Sequence, residues 1–234
     1  MADEGDVPIE ERLENLDVLR RELDVLASGG QSAHPLIARL DAEAVAPFGL
    51  DLQPFYDLLS AFSQDVVKTR YVNFGELVDY CRRSANPVGR IMLALYGKTD
   101  AVSVAQSDGI CTALQLVNFW QDVAVDWRKG RVYIPQDDLL RFGVAEEQIT
   151  VGRADAAFQR LMAFQCRRAF RMLRAGSPLA KELKGRIGLE LRMIVLGAQM
   201  ILQKLDACRY DVFAQRPLLD KKDWLIMLKR AVWR

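Results

Sequence analysis

Gln115, Asn118, Asp122 and Asp126 recur at intervals of three, four and four residues inside the run QLVNFWQDVAVDWRKGRVYIP, residues 115–135. That spacing reaches one side of the chain only in an α-helix, where at about 100° per residue the four fall within roughly 80° of one another over about three turns. Carboxylates one turn apart repel, and a divalent cation with a phosphorylated ligand turns that repulsion into binding. An isolated DxxxD pair reads more readily as a solvated stripe. Here Phe119, Trp120, Val123, Ala124, Val125 and Trp127 surround the stripe with apolar bulk, which places the acids against an enclosed cavity. The basic cluster Arg128-Lys129-Gly130-Arg131 comes next, within reach of a second negative group, and Tyr133 and Pro135 close the run.

The rest of the chain carries the same period. Residues 8–27 form an amphipathic helix, with Pro8, Glu10 and Glu11 at its start, Leu13, Leu16, Leu19, Leu23 and Leu26 along it, and Gly29-Gly30 as the stop. Further helices are expected at 35–46, 53–69, 73–97, 101–126, 153–174, 178–209 and 220–232, while no stretch alternates as a strand does. No short repeat and no Gly-, Ser- or Pro-rich linker divides the 234 residues, so a single all-α domain is expected over 1–234. Asn86-Pro87 inside the 73–97 run predicts a kink or a plain helix break. The segment 128–150, holding Pro135 and Gly143, is expected to be the longest irregular connection, placed to close over a phosphorylated ligand.

Composition removes several function classes. Thirty-two basic residues against 31 acidic ones give no bulk field for nucleic acid. Cysteines 81, 111, 166 and 208 lack CxxC or Cys/His spacing, which fits reduced thiols in the cytoplasm and no zinc site. The one histidine, His34, precedes Pro35 in a loop, so neither a Ser-His nor a Cys-His mechanism is expected. No signal peptide and no apolar run of 18 residues is present.

The pattern NxxxDxxxDxxxGRxYxP, standing as Asn118, Asp122, Asp126, Gly130, Arg131, Tyr133 and Pro135, resembles the second aspartate-rich motif of the squalene and phytoene synthases, head-to-head isoprenoid enzymes. A second match is TRYVNFGELVDYCRRSANPVGRIMLALYG, residues 69–97. Within the family, Tyr80 through Gly89 and Asn118 through Asp122 resemble the bacterial hydroxysqualene synthase branch of hopanoid biosynthesis, whereas phytoene synthases generally carry YCxxVAGxVG. The likeness runs on through ILQKLDACRYDVFAQRPLLDKKDWLIMLKRAVW. The family has a first aspartate motif as well. On that resemblance Asp3 stands where its last aspartate falls, with the preceding aspartate and helices lacking; read alone, Asp3 and Glu4 are an acidic, mobile terminus.

The resemblance implies an isoprenoid synthase bundle with a central hydrophobic cavity, in which Mg²⁺ held by Asp122, Asp126 and Asn118, with Asp3, takes up diphosphate oxygens as the C–O bond breaks. Gln115 donates to phosphate or orients a metal-bound water, and Arg131, Arg128, Tyr210 and Lys222 neutralise the remaining oxygens. Arg131 reads equally as an ion pair to the acidic helix, and Tyr210 and Lys222 as surface or packing residues. Phe119, Trp120, Tyr80, Val88, Gly89, Leu116 and Ile194 are candidates for the hydrocarbon tunnel, with core packing as the alternative for most. Arg82 and Arg83 replace uncharged residues of the carotenoid-making relatives, so one of them is expected to influence the fate of the cation or position the water that traps it; Arg83 and Tyr80 are the catalytic candidates of this stretch.

The expected activity is conversion of presqualene diphosphate and water to hydroxysqualene and pyrophosphate. Two alternatives stand beside it: farnesyl transfer giving presqualene diphosphate, squalene or phytoene, and a non-catalytic helical scaffold. The absence of a GxGxxG run counts mildly against a reductive step. The last segment, Trp224 to Arg234, mixes aromatic and basic residues; it suits a helix packed on the bundle or, alternatively, peripheral membrane contact at the inner face of the cell membrane.

Overall fold

In the computed structural model, residues 7–233 are described, and the named elements among them are helices. In chain order these are α1 (Ile9–Ala27), α2 (Pro35–Leu40), α3 (Ala46–Phe48), α4 (Gln53–Val67), α5 (Phe74–Ser84), α6 (Asn86–Leu95), α7 (Ala101–Gln121), α8 (Val123–Arg128), α9 (Gln136–Phe142), α10 (Glu146–Thr150), α11 (Ala156–Gly176), α12 (Leu179–Glu182), α13 (Gly185–Ala207) and α14 (Lys221–Trp233). The chain divides into two units, residues 1–68 with 79–104, and residues 69–78 with 105–234.

In the first unit the leucine stripe of α1 does what its spacing requires. Leu16 and Leu23 are buried with Ile37 of α2 and Leu59 and Val66 of α4, and Leu13, Leu19 and Leu26 pack at the edge. Burying each such side chain contributes about 1.5–3 kcal/mol before chain entropy is counted. The expected helix over 35–46 is interrupted by a π-helical turn, Asp41–Val45, next to Pro47, which has no N–H to give to the regular ladder. The 73–97 run is a break rather than a kink: Ala85 stretches to φ −116° while its N–H still donates to the Cys81 carbonyl at 2.9 Å, and Pro87 falls in the first turn of α6, where a missing N–H goes unnoticed. Val88, expected in a tunnel wall, lies 53% exposed on α6.

The second unit is built on α11. Asp155 caps it, accepting from the backbone N–H groups of Ala157 and Phe158 at 3.0 and 3.1 Å. Phe158, Leu161, Met162, Ala169 and Leu173 face inward. α11 crosses α7 so closely at Gly176 that a Cβ there would stand 2.3 Å from the Gln106 carbonyl oxygen. The expected 178–209 helix is α12 and α13, parted before Gly185, whose φ of +68° suits glycine.

The connection over 128–150 departs most from expectation. It folds into α9 and α10 and is lashed to residues 69–72: Val132 N–H donates to the Thr69 carbonyl at 2.9 Å, Gln136 N–H to Tyr71 at 2.9 Å, and Asp137 N–H to Val72 at 3.0 Å. Asp138 on α9, almost fully buried, accepts from Arg168 and, at 2.8 Å, from Gln165 on α11. The Arg168 guanidinium lies against the rings of Phe74 and Phe164 at 4.2 and 4.1 Å. The segment is thus tied to residues 69–72 and to α11.

Candidate active site

α7 carries Gln115 and Asn118 and ends at Gln121. Asp122 leaves helical geometry at φ −105°, ψ 12° and starts α8, so the helix expected over 101–126 is two helices with the motif across their joint. The backbone still steps by turns: Asp122 N–H donates to the Asn118 carbonyl at 2.9 Å, and Asp126 N–H to the Asp122 carbonyl at 2.8 Å. Neither acid points into open solvent.

Asp122 has 12% of its side chain exposed and gives both oxygens to Arg216, Oδ1 to Nε and Oδ2 to Nη2, the latter at 3.0 Å. Asp126 has no such partner; its Oδ2 is buried with no hydrogen bond. Burial, and then the charge of Asp122, push the Asp126 carboxyl up to about 6, against the opposing pull of Lys129, Arg131 and Arg216. Asp126 lines a small, largely closed cavity together with Phe119, Val123, Arg131, Val132, Tyr133 and Ile134. Phe119 and Tyr133 stack at 3.7 Å there, with Tyr71 against Tyr133 at 5.7 Å.

The turn after the acids is fixed from two sides. Gly130 takes φ +74°, and Arg131 N–H returns to the Asp126 carbonyl at 2.9 Å. Arg70 donates to the Gly130 carbonyl at 2.6 Å and to both oxygens of Glu146, at 2.8 and 2.9 Å, holding the Glu146 carboxyl below the usual carboxylate range. Arg131 therefore stays close enough to Asp126 for its charge to act on it.

Among the described residues no group of three or more His, Cys, Asp or Glu could by itself hold a metal. The orphaned buried oxygen of Asp126 nevertheless fits Mg²⁺, which keeps several waters and takes phosphate oxygens rather than a full protein cage, while both oxygens of Asp122 are held by Arg216. Beside them an apolar cavity of about 290 Å³ extends from Asn118 and Gln121 along Leu114 and Val117 of α7, Met193, Ile194 and Ile201 of α13, then Leu219, Trp224 and Met227. Gln121 donates to the Pro217 carbonyl, so Gln121 and Asp122 together seat the 208–220 segment that carries Arg216 and Leu219.

The remaining expected residues fall into three groups. Gln115 and Asn118 lie on the last turns of α7, Arg128 is exposed at the end of α8, and Ile194 lines the apolar cavity. Leu116, Phe119 and Trp120, weighed as tunnel residues, are packed into the core. Tyr210 donates to Asp206 at 2.7 Å, and burial with that bond raises its phenol pKa; Lys222 stands in solvent on α14. Tyr80, Arg83, Val88 and Gly89 belong to the other unit, where buried Tyr80 donates to Asp65 at 3.0 Å and Arg83 donates to Asp79, Ser60 and Gln64. Arg82 pairs with Asp79 at 2.9 Å. Asp3 lies outside the described residues. Burial pushes the Cys81 and Cys166 thiols up to about 12, which makes neither a nucleophile. Arg216 and Arg70 escape a reading of the sequence. Arg216 sits inside the run RYDVFAQRPLL, but nothing in its spacing ties it to an acid 94 residues away.

Helices joined by short breaks, with an acid pair on the helices whose Asn118 and Gln121 line an apolar cavity, place this chain among the all-α isoprenoid synthases. A squalene synthase, HpnC, from Alicyclobacillus acidocaldarius superposes with a TM-score of 0.80 and 33% identity over 88% of this chain and 76% of that one. A dehydrosqualene synthase crystallised with a ligand shares the fold, with a TM-score of 0.77 and 22% identity, over 93% and 77%. The chain belongs to the squalene/phytoene synthase family, whose model matches residues 1–223. It is 37% identical over 196 residues to hydroxysqualene synthase of Rhodopseudomonas palustris, covering 83% of this chain and 65% of that protein. It is 32% identical over 225 residues to phytoene synthase of Arthrospira platensis, covering 87% and 70%.

Proposed function

We propose that the protein is a Mg²⁺-dependent isoprenoid synthase that converts presqualene diphosphate and water to hydroxysqualene and pyrophosphate, a carbon–oxygen lyase of squalene and hopanoid synthesis, with residues 1–234 serving as one synthase domain. The observation that carries this reading is the orphaned, buried Oδ2 of Asp126 one turn from Asp122, on the helix pair whose Asn118 and Gln121 line the apolar cavity. A buried carboxylate oxygen without a donor costs about 1–3 kcal/mol or more unless a cation arrives to claim it.

Asp122, Asp126 and Asn118 would hold Mg²⁺, which when bound supplies Lewis-acid stabilisation of the leaving diphosphate. Arg131, held by the Gly130 turn, would neutralise diphosphate oxygens, with Gln115 and Arg128 as further contacts. The cavity over Leu114, Val117, Ile194 and Ile201 would take the hydrocarbon and keep bulk water from the cyclopropylcarbinyl carbon that loses diphosphate. Its relatives named hydroxysqualene synthases favour this product over phytoene. The protein is read as cytoplasmic, acting at the inner face of the membrane that stores such a product. The test is mass analysis of products after feeding presqualene diphosphate and farnesyl diphosphate separately with Mg²⁺. Hydroxysqualene from the first, lost in Asp122→Ala, is the expected result; product from the second alone makes the protein a transferase, and product from neither makes it a scaffold.

A further inference from the structure

The charge of the chain is balanced only in sum. The unit of residues 1–68 and 79–104 holds 9 basic residues against 16 acidic ones, and the other unit 23 against 15. Two exposed helix faces concentrate this difference. On α11, which contains no acid, Arg160, Arg167, Arg171 and Arg174 fall within about 60° of one another, on the side away from buried Phe158, Ala169 and Leu173. All four are exposed, and none is in an ion pair among the described residues. The helix dipole accounts for Arg174, in the last turn, and not for the other three. On α1, Glu10, Glu14, Asp17 and Asp24 are exposed on the side away from buried Leu16 and Leu23. Arg21 lies within that row, pairing with Glu14 at 2.7 Å and Asp17 at 3.3 Å, with Arg20 at its edge, and Asp24 accepts from the Tyr56 hydroxyl at 2.7 Å.

Both rows span the same length, about 21 Å of helix axis. Counted forward from Glu10 the acids stand at 0, 4, 7 and 14, and counted back from Arg174 the arginines stand at 0, 3, 7 and 14. Laid antiparallel, the two helices set Glu10 against Arg174, Glu14 against Arg171, Asp17 against Arg167 and Asp24 against Arg160. Arg21 then falls opposite Ala163 and meets no like charge. We propose that α1 of one copy docks antiparallel on α11 of a second copy, a contact between unlike faces of the same chain. The occupant is a second copy because one chain displays both rows, each the counterpart of the other in sign, length and order. Such a contact is made twice in a closed dimer or continues from copy to copy, and both grow from the same pairing. Exposed ion pairs are individually weak and are screened by salt, so the association is reversible and tightens as ionic strength falls.

The test is sedimentation velocity of the full chain over a concentration series at about 20 mM and about 300 mM salt, where the screening length is about 20 Å and about 6 Å. Association is expected at the lower salt and should be at least about tenfold weaker at the higher. Glu10→Arg with Glu14→Arg, and separately Arg171→Glu with Arg174→Glu, should each weaken it about 100-fold or more, because like charges then face each other. The two variants mixed should associate again, since the basic α1 of the one meets the acidic α11 of the other. Unchanged thermal melting shows that the variants fold, all four positions being exposed. A wild type that stays monomeric at the lower salt, association untouched by either variant, or a mixture that does not recover overturns the proposal. Association lost in only one of the two variants also overturns it, by giving that face to a different partner. Turnover enters none of these outcomes, so the contact and the synthase reading stand or fall separately.

Discussion

Asp126 and Arg216 set opposite demands on the same few ångströms. With its carboxyl at about 6 in the folded chain, above the ordinary aspartate value, Asp126 contributes to stability fully at pH values below about 4, and that contribution is lost as pH rises through 6. In chelator, the melting temperature should therefore fall between pH 4 and 7 in the wild type but not in Asp126→Asn, which keeps the neutral shape. The variant should be more stable at pH 8 by about 1–2 kcal/mol, after allowing for the solvent that still screens the group. Equal slopes of melting temperature against pH would show that Asp126 is not the strained group. Arg216 is the cation Asp122 now holds. Its replacement by alanine leaves two neighbouring acids less compensated, so the metal-free protein should melt lower while added Mg²⁺ with pyrophosphate restores more stability than in the wild type.

At the level of the elements, the pinned segment after the acids matters as much as the helix that carries them. α9 is tied to α11 by buried Asp138 and its partners Arg168 and Gln165. Arg168→Ala leaves that carboxylate unpaired in the interior, so a loss of about 3–5 kcal/mol, or roughly 10 °C in melting temperature, is expected from thermal scans. A loss under about 1 kcal/mol would show that solvent already reaches Asp138. Gly176→Ala asks a different question of the crossing between α7 and α11. With the new methyl 2.3 Å from the Gln106 carbonyl, a cost of about 1–3 kcal/mol should emerge in denaturant unfolding as a lower midpoint with an unchanged slope.

For the molecule as a whole, the helices are legible in the sequence because apolar residues recur at three and four along most of their length, and Leu16 and Leu23 occupy the core that their spacing implies. Their interruptions are less so. Ala85 and Asp122 break helices through local backbone geometry that a periodic pattern averages over, and the 128–150 segment reads as loose because its order comes from pairing with residues 69–72, a long-range contact no window contains. The acid pair is visible for the same reason as the helices, whereas Arg70 and Arg216 reach the site across 60 and 94 residues. The hydrocarbon side is the least legible: Leu116 and Trp120 pack into the core, and the open cavity belongs to Ile194 with Leu114, Met193 and Trp224. Calorimetric titration of Mg²⁺ with inorganic pyrophosphate into the wild type and Asp126→Asn reads the central claim directly. Saturable binding in the wild type that weakens at least about 100-fold in the variant is the expected result, since a carboxylate ligand to Mg²⁺ is removed; equal affinity in the two would contradict it.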